Sequence, residues 1–219
     1  MSLLEFARGP ALEVGFAVFG FGVLWRLASL LLLRRAPDWT APRPGAPSKL
    51  VAVLRGQIRH LWPAKAYRRG GLLVSINSYV FHLGLVVIIF GLAQHIMLLQ
   101  GLFGISWPNL PSGIVFAVAI VTLASLLAML ARRLVSPVLR LISGFDDYAS
   151  WLFTILPVAT GIVATNHLWA RYETLLGVHI LSVVALLIWL PFGKLMHGAL
   201  LLITRGRTAA FYARRGAAS

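Results

Sequence analysis

Four histidines lie where polar side chains are expensive. The 219-residue chain has six, of which His82, His95, His179 and His197 fall within long apolar stretches and His60 and His167 between them. An ionisable residue at membrane depth marks a functional site by default, because its desolvation must be offset by a partner, a proton path or a metal. His179 and His197 are 18 residues apart; on an uninterrupted helix that is five whole turns, which puts them on one face about 27 Å apart. A neighbouring antiparallel helix bearing His82 and His95 sets His82 opposite His197 and His95 opposite His179. Two facing pairs of imidazoles stacked across a bilayer are what two bis-histidine b haems require, since haem iron takes an axial ligand on each face. The same side chains also suit a transporter or proton channel, in which they titrate. A lone intramembrane histidine, by contrast, is commonly a helix–helix hydrogen-bond partner; the doubled pattern favours haem.

The elements that must hold these residues follow from hydropathy. Hydrophobic residues make up 59% of the chain and charged residues only 12%, about half the charged fraction of a soluble domain. Five segments reach the roughly 20 apolar residues that cross a bilayer, at about 10–33, 76–100, 112–131, 148–166 and 175–203. The expected fold is therefore an all-α membrane protein, a single domain over 1–219 built as a bundle of five transmembrane helices. The first segment has neither a basic n-region nor a small-residue cleavage pattern, and reads as a retained span. There is no cysteine, so the chain itself forms no disulfide and no thiolate-held cluster.

Charge orients the bundle. The net charge is +14, but the basic residues sit between the apolar runs rather than along one face, which speaks for membrane topology and against nucleic acid. The segment 34–74 holds Arg34, Arg35, Arg43, Lys49, Arg55, Arg59, Lys65, Arg68 and Arg69. The segment 132–147 adds Arg132, Arg133 and Arg140, and the tail adds Arg205, Arg207, Arg214 and Arg215, whereas the opposite loops carry only Arg8 and Arg171. The expected topology has the N-terminus outside and the C-terminus cytoplasmic, with 34–75 as a basic cytoplasmic loop. Trp107 and Trp169 fall at an outer aromatic belt. After the proline-rich stretch from Pro37 to Pro47, the loop turns amphipathic: Leu50, Val51, Val53, Leu54, Ile58, Leu61 and Trp62 alternate with Arg55, Arg59 and Lys65. That pattern predicts a surface-lying helix that binds anionic lipid or docks a soluble partner. Gly84 and Gly91 leave space beside the second span for a flat macrocycle, or serve ordinary helix contact. Arg26, Lys194 and Arg205 lie near the inner end, where they are candidate partners for haem propionates or simply topology signals.

Several motifs carry a family likeness: Ala17–Arg26 (AVFGFGVLWR), Phe81–Gly84 (FHLG), Arg132–Arg140 (RRLVSPVLR) followed by Asp147, His179, Pro191–His197 (PFGKLMH) and Leu202–Arg205 (LITR). With them the chain resembles the cytochrome b (gamma) subunit of respiratory nitrate reductase and related anchors of heterodisulfide-reductase-like and sulfur-metabolising complexes. The resemblance implies that His82 and His197 ligate the haem nearer the cytoplasm and that His179 ligates the outer one. The family's fourth histidine comes ten residues after the first, where this chain has Leu92; His95 follows three residues later. On a straight helix His95 lies roughly 140° around from His82, and a π-bulge near Gly91 would correct the face. Met97 is the alternative ligand, and a single-haem protein the alternative stoichiometry.

The resemblance further implies two b haems, quinone or quinol as substrate, and a cytoplasmic iron–sulfur subunit with a catalytic subunit as partners, in the inner membrane of a prokaryote. The family's basic residue after the second span is missing from Gly101–Ser112, which leaves His95, Gln94, Asn109 and Arg171 as outer polar candidates for the quinone. Asp147 is expected to pair with Arg132 or Arg133. A haem-free anchor with the same fold remains the third reading.

Overall fold

The computed structural model describes residues 1–34, 39–59, 61, 68–166 and 169–217, with Arg68 and Arg69 given by backbone only. His60, Trp62, Lys65, Arg35, Pro37 and His167, all named above, lie outside the described residues. Among the described residues the regular structure is all helix, without a strand. Five helices are long and apolar enough to cross a membrane.

The first, α1 (Leu3–Leu32), opens with a capping box in which Glu5 N–H donates to Ser2 Oγ and Ser2 N–H to the Glu5 carboxylate. It widens into a π turn at Ala7–Ala11, which takes up Pro10 inside the helix. The predicted surface helix is α2 (Lys49–Arg59). The second span is α3 (Arg68–Gly91), and α4 (Ala93–Phe103) follows after a break. The remaining elements are α5 (Ser112–Val135), the short α6 (Pro137–Leu141), α7 (Phe145–Thr165), α8 (Tyr172–Trp189) and α9 (His197–Arg215).

The spans pack as a row in the order α3, α5, α7, α8, α1. Phe81, Leu126 and Val158 form the buried centre of its first half, flanked by Leu85, Ile88, Leu123, Trp151 and Ile155. Small and polar residues bring α3 and α5 close, as expected where lipid removes the hydrophobic drive. Asn77 Nδ2 donates to Ser125 O at 3.0 Å, and Ser125 Oγ donates back to Asn77 O at 3.0 Å. Phe21, Leu24, Leu83, Val86, Val121 and Leu127 are exposed on the outer surfaces, where acyl chains would cover them.

Two of the predicted spans differ in an instructive way. The stretch 76–100 is not one helix: Leu92 is extended (φ −79°, ψ 130°) and divides α3 from α4. The stretch 175–203 is not one helix either. Pro191 has no N–H to continue the ladder, so α8 stops at Trp189, a tight corner follows, and α9 starts at His197. Pro191 is fully buried in this corner against Gly22, where an added Cβ would lie 2.6 Å from the proline ring. Beyond it α9 packs along α2 rather than extending the span.

Candidate functional site

The interruptions aim the histidines. A helix broken at membrane depth frees carbonyls that lipid cannot satisfy. At the α3–α4 break three of them find donors: Gly91 O accepts from Leu110 N–H (2.9 Å), Phe90 O from the Trp107 indole (2.7 Å) and Ile88 O from the His95 ring (2.8 Å). The expected π-bulge is therefore replaced by a full break, and Trp107 caps that break rather than merely marking a belt. Capping Ile88 with its own Nδ1 swings the His95 imidazole toward α8, where the His179 ring lies with its centroid 6.3 Å away and its plane tilted by 21°. Met97 is exposed; His95 is the residue that faces His179.

At the other end, the Pro191 corner delivers His197 to the first position of α9, where its centroid is 6.1 Å from that of His82, with the planes at 80°. The pairs are those expected from sequence. The reasoning from five uninterrupted turns is overturned, because His179 and His197 stand on separate helices.

All four rings are anchored in one manner. Nδ1 meets a carbonyl or hydroxyl oxygen: Ser78 O for His82 (2.7 Å), Ile88 O for His95 (2.8 Å), Thr160 Oγ1 for His179 (3.2 Å) and Lys194 O for His197 (2.9 Å). Thr160 Oγ1 itself donates to Leu156 O at 2.7 Å, so it accepts from the His179 ring. These bonds place the proton on Nδ1 and offer Nε2 to a ligand, the arrangement that orients metal-bound histidines.

The spacing suits such a ligand. With metal–imidazole bonds of about 2.0–2.1 Å and each ring centre roughly 1.2 Å behind its nitrogen, an axial pair holds its centroids roughly 6.5 Å apart. Both pairs match within a few tenths of an ångström. Among the described residues no three of His, Cys, Asp or Glu converge on a point; a macrocycle that brings its own equatorial nitrogens needs only two. The pairs bridge α3–α4 on one side and α8–α9 on the other, and α3 and α8 are not neighbours in the row of helices. His82 and His197 are exposed in the protein alone, and His95 and His179 are half-buried.

Of the two readings of the span-two glycines, the structure bears out helix contact. Gly84 and Gly91 do not leave a space: an added Cβ would meet Thr122 Oγ1 at 1.9 Å or Leu110 Cδ1 at 2.9 Å, so both serve helix and loop contact. The glycine beside a histidine is Gly161, whose added Cβ would lie 3.1 Å from Cε1 of His179. Thr160 and Gly161 were not singled out from sequence; a hydroxyl beside a glycine in mid-span was the available signal.

Arg133 of the RRLVSPVLR motif and Asp147 form a clamp at the Pro191 corner. Arg133 donates to Asp147 Oδ1 (3.1 Å) and to Ser143 Oγ (2.6 Å), while Lys194 Nζ reaches Asp147 Oδ2 at 2.5 Å. Lys194 N–H also bonds Asp146 Oδ1 at 3.2 Å. The clamp thus joins α5, α7 and the corner residue whose carbonyl holds His197. Of the three suggested propionate partners, Lys194 sends its ammonium to Asp147, Arg26 is exposed on α1 and Arg205 is half-buried on α9. On the opposite side Arg171 lies 4.0 Å from Glu173, and Asn109 Nδ2 donates to Leu110 O at 3.0 Å.

Fold and site define a multi-pass, all-helical membrane protein with two facing histidine pairs. A protein of Nitratidesulfovibrio vulgaris, described only as a protein, is 30% identical over 223 aligned positions, which take in 99% of this chain and 97% of the relative. The chain belongs to the same family as that protein. No family model matches the chain, and no solved structure matches it.

Proposed function

We propose that this chain is a dihaem b-type membrane subunit that passes electrons between the quinone pool and a cytoplasmic iron–sulfur subunit of a respiratory oxidoreductase complex. The observation that carries this reading is the matched pair of imidazole pairs, 6.1 and 6.3 Å between centroids, with every Nδ1 engaged. The residues present fit haem: His82 with His197 would hold one group and His95 with His179 the other. Haem held there would supply reversible one-electron chemistry at two depths of the bilayer.

The chain's own residues do the remaining work. Nδ1 anchors keep the rings in one tautomer and one orientation. The excess of Lys and Arg on one side supports a cytoplasmic position for the His82–His197 pair and an outward one for the His95–His179 pair. A quinone head group would then sit at the outer end, near Gln94, Asn109 and Arg171, where its protons exchange with external water. A cysteine-free chain holds no cluster of its own, so the electron partner on the cytoplasmic side, with its catalytic subunit, must be a separate polypeptide. The setting is the inner membrane of a prokaryote.

The test is spectroscopic. Protein produced with haem available and purified in detergent should show a reduced b-type α band and two haems per chain by pyridine haemochrome. His82→Ala or His197→Ala should leave one haem, and His95→Ala or His179→Ala the other. Haem-free protein, or a haem content untouched by all four substitutions, sinks the proposal.

A further inference from the structure

We propose that α2 and α9 together form a binding site for the phosphate of an anionic phospholipid in the leaflet on the basic side of the bundle. The sequence left open whether the amphipathic helix meets lipid or protein; the placement of its three faces decides for lipid.

The face that turns to α9 is made of small or polar residues. An added Cβ on Gly56 would lie 2.2 Å from Ala209 Cβ, and one on Gly206 would lie 3.0 Å from Val53. Gln57 Nε2 donates to Leu202 O at 2.7 Å. This contact holds α2 on the bundle without using its large apolar side chains. Those form a second face: Leu50, Leu54 and Ile58 recur every four residues and remain 68%, 55% and 71% exposed. A stripe of that kind on a helix held at a membrane surface has acyl chains as its natural cover.

Arg55 and Arg59 occupy the strip between these two faces, roughly 60–100° around the helix from the apolar stripe. They line a cleft of about 260 Å³ with Arg43, whose aliphatic chain lies over Gly216 at the end of α9. The floor is Ala52, Gly56, Ala209 and Ala213, so no large side chain fills it. Among the described residues no acidic side chain lines the cleft, and no carboxylate pairs with any of these three arginines. Three guanidinium groups around a small open floor suit the oxygens of a phosphate, which they can grip bidentately. Phosphate in the cleft and acyl chains on the adjoining stripe match one amphipathic ligand. A free phosphate uses only the first feature, and an acidic protein segment leaves the second uncovered.

Native mass spectrometry of the detergent-purified chain, delipidated and exposed to equal phosphatidylglycerol and phosphatidylcholine in mixed micelles, tests the assignment. Each arginine near an anionic surface is worth about a factor of five. The wild type should therefore retain phosphatidylglycerol at least tenfold better than phosphatidylcholine. Arg55→Gln/Arg59→Gln should bring that ratio near one, and Arg55→Lys/Arg59→Lys should keep most of it. Arg132→Gln/Arg140→Gln, away from the cleft, should leave it unchanged. If the Gln pair fails to fold, Leu54→Ser/Ile58→Ser serves in its place and should weaken lipid retention.

Three outcomes overturn the proposal. One is equal retention of the two lipids by the wild type. A second is displacement of phosphatidylglycerol by millimolar inorganic phosphate, which makes the cleft a simple anion site. The third is a preference that survives the Gln pair while a co-purifying soluble subunit is lost, which makes the face a protein dock.

Discussion

The His179 ring has the most specific surroundings of the four imidazoles, and they separate the roles of its neighbours. Gly161 touches the ring edge, and any Cβ there must push the imidazole by a few tenths of an ångström or more. Valine adds further bulk, so Gly161→Val should abolish or halve occupancy of the His95–His179 site while leaving the His82–His197 component intact; a redox titration that resolves two components reads this directly. Thr160 acts through the ring instead. Its oxygen accepts the Nδ1 proton at 3.2 Å and so makes the imidazole a better donor to a metal. Thr160→Val removes that acceptor; with haem bound as proposed, this would weaken stabilisation of the oxidised state and should raise the midpoint potential of the same component. A shift on the order of 30–60 mV corresponds to at most about a tenfold change in the balance of oxidation states. A purely structural threonine would lower haem content and leave the potential of the remaining haem where it was.

At the scale of elements, two helix interruptions carry the site. Pro191 ends α8, is buried against Gly22 and turns the chain so that His197 opens α9. Pro191→Ala restores an N–H and allows the helix to continue past Trp189, which carries His197 away from His82. The expected result is loss of the His82–His197 component with the other retained, seen as one haem per chain and one redox transition. This element also shows what was legible beforehand. The five spans were readable because apolar runs of about 20 residues separated by polar, Gly- and Pro-bearing segments have no other solution, and the residue pairs because antiparallel helices leave only one matching of ends. The breaks were not. Proline inside an apolar run can kink a helix or end it, and which occurs depends on the Gly22 pocket that receives the ring, on a helix remote in sequence. The Leu92 break has no proline at all; it exists because Trp107 and Leu110, from a later loop, cap the carbonyls it frees. Sequence leaves Gly84 and Gly91 open between ligand space and helix contact for the same reason, since the neighbours that decide for contact, Thr122 and Leu110, lie on segments that periodicity does not place.

The whole molecule adds a direction to these parts. The row α3, α5, α7, α8, α1 holds the two imidazole pairs apart, one at the α3–α4 break and one at the Pro191 corner; under the proposed function, electrons entering at one pair would leave on the other side of the membrane. Which side is which rests on charge: sixteen Lys and Arg lie in the loops and tail on the side of His197, and two on the other. The Arg133–Asp147–Lys194 clamp is at that same basic end, so the corner presenting His197 is braced where a soluble partner would dock. The absence of cysteine makes the orientation directly measurable, because each introduced thiol is the only one in the chain. Ser2→Cys should react with a membrane-impermeant maleimide added to intact spheroplasts, whereas Ala217→Cys and Arg140→Cys should react only after the membrane is opened. The reverse labelling would put the His95–His179 pair in contact with the cytoplasm. The partner subunit would then dock at the α3–α4 break, and Gln94 and Asn109, rather than the basic corner, would become its contact residues.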